Sequence, residues 1–138
     1  MIGYSDWKHD NVYEATSESG KTITRDADAE HKHGPSPMEA VLMALCSCTS
    51  VDVVEILRKK RQQLTGLRVS ARAERAEDAP RVFTRILLTY AVSGKLSRKA
   101  VEDAVSHSKN KYCSVSKMLE KAATVEYEIV FTDGEPEE

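Results

Sequence analysis

The arrangement of apolar and polar positions divides the chain into a short series of elements. Between Ile2 and Arg25 the pattern predicts short strands. Val12–Thr16 and Lys21–Arg25 flank Ser17-Glu18-Ser19-Gly20, a spacer whose glycine suits a hairpin turn. Asp26 to Gly34 is polar, rich in histidine and charge, and predicts a loop. Ser36-Pro37-Met38-Glu39 carries three helix-start signals. Serine stands at the N-cap, proline at the first helical position, and glutamate three residues after the serine, which makes a capping box. The helix is predicted to run to about Leu64, with Gly66 as its stop. From Ala40 to Leu57 it is apolar on nearly every face, the pattern of a helix buried on several sides. Its end, Arg58-Lys59-Lys60-Arg61, places cations where the helix dipole favours them.

Downstream the period changes to two. Leu67, Val69, Ala71 and Ala73 alternate with Arg68, Ser70, Arg72 and Glu74, a strand with one buried face. After a turn at Glu77-Asp78-Ala79-Pro80, Val82 to Val92 is a second strand with Val82, Ile86, Leu88, Tyr90 and Val92 inward. The two predict a hairpin. Leu96-Ser97 opens a helix with an inner stripe of Ala100, Val101, Ala104, Val105 and Ser108. A short helix starts near Cys113 or Ser114 and ends near Lys121. Val125, Tyr127, Ile129 and Phe131 alternate as a last strand, and Asp133 to Glu138 is an acidic, frayed tail. Strands, long helix, two strands, two helices and a strand predict an α+β fold with a mainly antiparallel sheet packed on helices. No repeat or linker divides the chain, so one domain over residues 1–138 is expected. One sheet covers only one side of the long helix, and a symmetric homodimer is the economical cover for the rest.

Composition narrows the function. With 138 residues, 41% hydrophobic and only 6% aromatic, the core must rest on aliphatic packing. A net charge of -2 argues against general nucleic-acid binding. The longest uncharged stretch, Ala40 to Val51, is too short for a membrane span. Met1 to Trp7 has neither the basic nor the apolar region of a secretory signal. Three cysteines, Cys46, Cys48 and Cys113, then favour a reducing cytoplasm, where cysteines in pairs tend to be catalytic or redox-active. His31 and His33 are too isolated to predict a metal site and read as solvated loop residues.

The thiols carry the candidate chemistry. A thiol reacts as thiolate, and helix N-termini and cations lower its pKa. Cys113 stands where a helix begins and follows Lys109 and Lys111, so its thiolate is expected to be favoured. Cys48 lies about three turns into the long helix, with Asp52 four residues on and therefore on the same face. That acid opposes a Cys48 thiolate unless a cation is brought in from elsewhere. Cys46 and Cys48 point about 200° apart on a helix and cannot bridge there. Cys48 with Cys113 is the candidate redox pair; the rival is that all are inert core thiols, the default for Cys46.

Four runs taken together resemble one family. They are Gly34-Pro35-Ser36-Pro37-Met38-Glu39, Cys48-Thr49-Ser50-Val51-Asp52-Val53-Val54-Glu55-Ile56-Leu57, Pro80-Arg81-Val82-Phe83-Thr84-Arg85-Ile86 and Lys111-Tyr112-Cys113-Ser114-Val115-Ser116. In this order they resemble the OsmC/Ohr family, most closely its YhfA-like branch. The resemblance implies an intertwined homodimer with a two-cysteine site at each interface, no cofactor and no metal. It implies thiol peroxidase activity on organic hydroperoxides, with Cys48 attacking and Cys113 resolving. The resulting disulfide is reduced by a dithiol such as a lipoylated protein. Neither nucleic acid nor membrane is an expected partner. The peroxidase branches also use a glutamate directly after the motif proline, where this chain has Met38, and an N-terminal arginine, for which Arg25 is the candidate as the sole arginine before the long helix. Glu39 comes one residue late, a rotation of about 100°, and on a continuous helix lies about 13.5 Å along the axis from Cys48 on the opposite face. The capping box is its expected role. Two alternatives stand beside the peroxidase: a non-enzymatic dimeric protein binding a small apolar or thiol-bearing ligand, and acyl or persulfide transfer on the same scaffold.

Overall fold

The computed structural model describes residues 1–136. Of the predicted acidic tail, Glu137 and Glu138 lie outside the described residues. The element order is β1 (Gly3–His9), β2 (Val12–Ser17), β3 (Thr22–Asp26), α1 (Pro37–Lys59), β4 (Gln63–Arg75), β5 (Phe83–Lys95), α2 (Arg98–His107), a single π-helical turn (Ser108–Tyr112), α3 (Ser114–Leu119) and β6 (Thr124–Phe131). The predicted α+β class is observed. Backbone contacts divide the chain into two compact units, Met1–Leu42 and Met43–Glu138, with the boundary inside α1.

The first unit is an antiparallel meander in the order β1-β2-β3. Val12 pairs with Asp26, and Tyr13 with Arg25, across the predicted hairpin. The loop after β3 is tied down by Asp26, a buried carboxylate that accepts the backbone N–H groups of Asp28 at 2.9 Å and His33 at 3.2 Å, and meets His33 Nδ1 at 3.0 Å. His33 therefore anchors this loop although its side chain stays half exposed, because a buried carboxylate must find donors, and the His31 ring meets the Asp26 backbone carbonyl at 3.1 Å. The hydrogen bonds from Asp28 and His33 hold the Asp26 carboxyl below its ordinary pKa. Gly34 ends the loop against β3: a Cβ there would stand 2.4 Å from the Thr24 carbonyl oxygen, so only glycine fits.

The second unit contains the other sheet, in the order β4-β5-β6. β4 and β5 are antiparallel, with Val69 opposite Tyr90 and Ala71 opposite Leu88. β6 pairs with β5 in parallel, while the other pairings among the described residues are antiparallel, in keeping with the mainly antiparallel expectation. The connection through α2 and α3 is long enough for the crossover that a parallel neighbour requires. Ile86, Leu88, Tyr90 and Val92 are buried on the inner face, as the alternation predicted. Phe83, not Val82, is buried at the start of β5, because the pairing shifts between Glu74 and Arg75 and moves the inward position by one. Gly94, at φ +123°, lets β5 pass the Gln63 carbonyl oxygen, which a Cβ would meet at 2.0 Å.

α1 stops at Lys59, earlier than predicted. Arg61 takes a left-handed conformation at φ +56°, and the N–H groups of Arg61 and Gln62 donate to the carbonyls of Arg58 and Leu57 at 2.9 Å each. This is a Schellman cap formed on arginine instead of glycine. Gly66 serves β4, at a shift in its pairing with Ser93. Within one chain α1 buries a single stripe, Leu45, Thr49, Val53 and Leu57, rather than several faces. Met43 and Val51 remain 51% and 57% exposed. As a whole, α1 is long and apolar enough by length and composition to cross a membrane, which the shorter uncharged stretch was not expected to be.

The two faces of β4–β5 set the cost of substitution. Leu88→Ala, at a fully buried position, is expected to lower the unfolding free energy by about 2–5 kcal/mol. Ser70→Ala, on the exposed face, is expected to change it by less than about 0.5 kcal/mol. Equal denaturant midpoints for the two variants would refute this assignment of faces.

Candidate functional site

Cys48 and Thr49 follow each other on α1, so one faces partly outward while the other joins the buried stripe. Cys113 reaches the same place from 65 residues away. After α2 the chain widens into one π-helical turn, Ser108–Tyr112, then α3 begins with Cys113 as its N-cap. A π turn inserts an extra residue into a helical path and so re-aims the residues beyond it. The Cys113 backbone N–H donates to the Ser108 carbonyl at 2.8 Å, and its Sγ accepts the Ser116 N–H at 3.4 Å. Cys113 is fully buried, with Cys48 and Asp52 close enough to act on its thiol electrostatically. All three cysteines are free. Cys46 is only half-buried, so it is not the core residue expected; burial pushes its thiol pKa up.

The environment of Cys113 corrects the sequence expectation. Burial is the largest influence and pushes the thiol up to about 12. The Ser116 N–H pulls the other way, as a helix N-terminus should, but desolvation outweighs it, and Cys48 and Asp52 add to the rise. The lysines that precede Cys113 are turned to other tasks: the Lys111 ammonium lies over the Tyr112 ring at 5.3 Å, and Lys109 acts on Glu120.

A buried chain of hydroxyls adjoins the dithiol. Tyr90 OH and Thr49 Oγ1 are 2.7 Å apart, Thr49 Oγ1 and Ser108 Oγ are 2.7 Å apart, and Ser108 Oγ donates to Asp52 Oδ2 at 2.8 Å. Thr49, Tyr90 and Ser108 are each fully buried. Burial also pushes the Tyr90 phenol up to about 12. Sequence reasoning did not assign this chain. Its signal was present: Thr49 and Ser108 are polar residues at inward-facing positions of apolar stripes, where a hydroxyl needs a partner. Ser116 Oγ, beside Cys113, is buried without a hydrogen-bond partner.

Glu39 and Arg25 belong to the first unit. Glu39 forms the predicted capping box: Ser36 N–H donates to Glu39 Oε1 at 2.8 Å, and Glu39 N–H donates to Ser36 Oγ at 3.1 Å. His31 Nε2 stands 3.5 Å from the same carboxylate. The Ser36 N–H bond is the main reason that the Glu39 carboxyl lies below its ordinary pKa. Arg25 Nη1 donates to the Thr24 carbonyl at 3.3 Å. Its side chain lines a largely apolar cavity of about 560 Å³ with Tyr13, Ala15, Ala27 and Ala40. No group of three or more His, Cys, Asp and Glu side chains is arranged to hold a metal among the described residues.

Known proteins share the sequence pattern and this fold. The family model described as OsmC-like protein matches residues 29–128. Protein YhfA of Escherichia coli K12 is 45% identical over 127 residues, covering 90% of this chain and 94% of the relative. A hypothetical protein from Aquifex aeolicus has a solved structure that superposes with a TM-score of 0.81 at 30% identity, covering 94% of this chain and 96% of that one. An organic hydroperoxide resistance protein OsmC from Legionella pneumophila superposes with a TM-score of 0.70 at 12% identity, over 94% of this chain and 95% of that one, a likeness of fold.

Cys113 and Tyr90 predict an alkaline limit to stability. Both pKa values are raised in the folded state, from 9.0 and 10.0 to about 12. The folded protein therefore keeps protons that the unfolded chain releases, so this stabilisation is complete below pH 9.0 and is lost as pH rises to about 12. Unfolding free energy is expected to fall across that window, and to fall less steeply in Cys113→Ala. Parallel pH dependences of the two proteins would contradict the buried, proton-holding environment of Cys113.

Proposed function

The chain belongs to the OsmC-like protein family, and from that premise we propose that it reduces organic hydroperoxides with Cys48 and Cys113 as a two-cysteine pair. The observation that carries this reading is that two free thiols from separate elements of the second unit, one buried and one partly exposed, lie close enough to act on each other. Cys48, the less buried of the two, is the attacking residue. Its thiolate sulfur attacks the outer peroxide oxygen, the O–O bond breaks, and the alkoxide leaves as alcohol with a proton. Cys48 becomes a sulfenic acid. The Cys113 sulfur then displaces hydroxide from Cys48, its proton leaves with that oxygen as water, and the disulfide forms. A dithiol, for example a lipoyl group, returns both cysteines to thiols by exchange.

Electrostatics divide the labour between the two sulfurs. A resolving thiol that holds its proton is protected from oxidation until a sulfenic acid stands beside it. The attacking thiol needs a cation, and the groups that act most strongly on Cys113 are neutral or acidic. Arg25 is the proposed source of that charge; Glu39 serves the start of α1. The working unit is a homodimer. Half-exposed apolar side chains on α1, Met43 and Val51, and on the first sheet, Tyr4, Trp7 and Ile23, are the surfaces a second copy would cover. A reducing cytoplasm suits thiols that must cycle.

One observation favours a second reading, a binding protein without turnover. The Arg25 cavity, apolar with a single guanidinium, suits a small apolar acid. Saturable binding of such an acid without hydroperoxide consumption would favour it.

Reduced protein mixed with cumene hydroperoxide is expected to form the Cys48–Cys113 disulfide rapidly, seen by peptide mass mapping. Cys48→Ser is expected to abolish turnover while retaining the wild-type circular dichroism; unchanged turnover would end the peroxidase reading. Cys113→Ser is expected to stop after one equivalent, with a sulfenic acid on Cys48 that dimedone traps. Arg25→Ala is expected to slow the first oxidation about a hundredfold, within the range that well-placed electrostatic groups supply. A rate equal to wild type would remove Arg25 from the site.

A further inference from the structure

We propose that Ser108 and Asp52 form a clamp that holds the turn bearing Cys113 against the helix bearing Cys48, and so set how readily the two sulfurs join. The proposal rests on the two-cysteine reading above for its significance, but its geometry stands separately. Ser108 is held on three sides. Its N–H donates to the carbonyls of Ala104 and Val105, which seats it on the last turn of α2. Its side chain donates to Asp52 Oδ2 at 2.8 Å, on α1, one turn beyond Cys48. Its carbonyl accepts the Cys113 N–H at 2.8 Å. One residue therefore connects the helix of the first thiol to the backbone of the second.

The direction of the hydrogen bonds makes Asp52 the end that matters. An ionised carboxylate only accepts, so Ser108 must donate to it. Ser108 Oγ then accepts from Thr49, and Thr49 accepts from Tyr90. Each of the three hydroxyls donates once, and the chain runs in a single sense from β5 to α1. Without Asp52 the Ser108 hydroxyl has a weaker outlet, the Thr49 carbonyl oxygen at 3.4 Å. The order of the chain would then be free to reverse. The clamp matters at Cys113 because a π turn is intrinsically less stable than an α turn. Its backbone path must be held by side-chain contacts, and Ser108 supplies the buried one at its first residue.

These are positioning residues: neither touches the reacting oxygen, and their effect is on the proximity of two sulfurs. A merely structural role would lower stability and leave the thiol–disulfide balance where it was. A clamp shifts the balance itself. In glutathione redox buffers the two protein thiols pass two electrons to glutathione disulfide, the intramolecular S–S bond forms, and two glutathione thiols are released. The ratio of disulfide to dithiol at each buffer composition measures how well the fold presents one sulfur to the other.

The experiment equilibrates wild type, Ser108→Ala, Asp52→Ala and Asp52→Asn in such buffers, quenches with acid, alkylates, and counts the Cys48–Cys113 peptide by mass spectrometry. Thermal melts are taken on the same samples. Ser108→Ala and Asp52→Ala are expected to weaken the disulfide about tenfold or more relative to dithiol, since small misplacements of reacting groups have effects of this size or larger. Asp52→Asn, whose amide oxygen still accepts the Ser108 hydroxyl, is expected to stay close to wild type. Asp52 is only partly buried, so its variants keep the test sound if Ser108→Ala fails to fold. An unchanged ratio in folded Asp52→Ala overturns the clamp and leaves hydroperoxide reduction standing. Absence of the Cys48–Cys113 disulfide from wild type overturns both.

Discussion

A hydroxyl buried in an apolar stripe is costly unless it is hydrogen-bonded, and that constraint organises the second unit. Thr49 stands in the middle of the fully buried row of α1, between Leu45 and Val53. Left unpaired, its oxygen would cost about 1–3 kcal/mol. Tyr90 on β5 and Ser108 at the end of α2 satisfy it, each at 2.7 Å. Three elements are thus locked at one point, in a single register. A sheet and two helices packed by aliphatic side chains alone would tolerate small slides; a chain of short hydrogen bonds does not.

The position of the dithiol depends on that lock. Cys48 precedes Thr49 on α1, and Cys113 comes directly after the turn that Ser108 begins. With Thr49 and Ser108 bonded, the two cysteines converge without any bond between them. The surroundings then decide their chemistry. A helix N-terminus favours a thiolate, as the Ser116 N–H does for Cys113, but burial of the sulfur is the stronger influence, and the nearby acid reinforces it. The site therefore keeps one thiol protonated, which suits a resolving residue better than an attacking one.

The first unit shows the same principle on a polar loop. Asp26 is buried among its own loop's N–H groups and His33, so a segment that composition marks as solvated is in fact ordered around one carboxylate. Glu39 is engaged in closing the start of α1, where it and Ser36 exchange hydrogen bonds.

Local signals were legible in the sequence wherever a residue's partner lies within a few positions. The capping box at Ser36 and Glu39, the alternation of β4 and β5, the inner stripe of α2 and the start of α3 at Cys113 are of this kind. Their causes are backbone donors one turn away and the period of side chains on an element. α1 ends earlier than its pattern predicts because Arg61 adopts a left-handed conformation that glycine usually takes, and Phe83 rather than Val82 is buried because a shift in pairing is set by the partner strand. The parallel placement of β6, the meeting of Cys48 with Cys113, the Tyr90–Thr49–Ser108–Asp52 chain and the proton-holding state of Cys113 were decided by the tertiary structure alone. Each depends on groups 39 or more residues apart, and on exclusion of water, which no local pattern records.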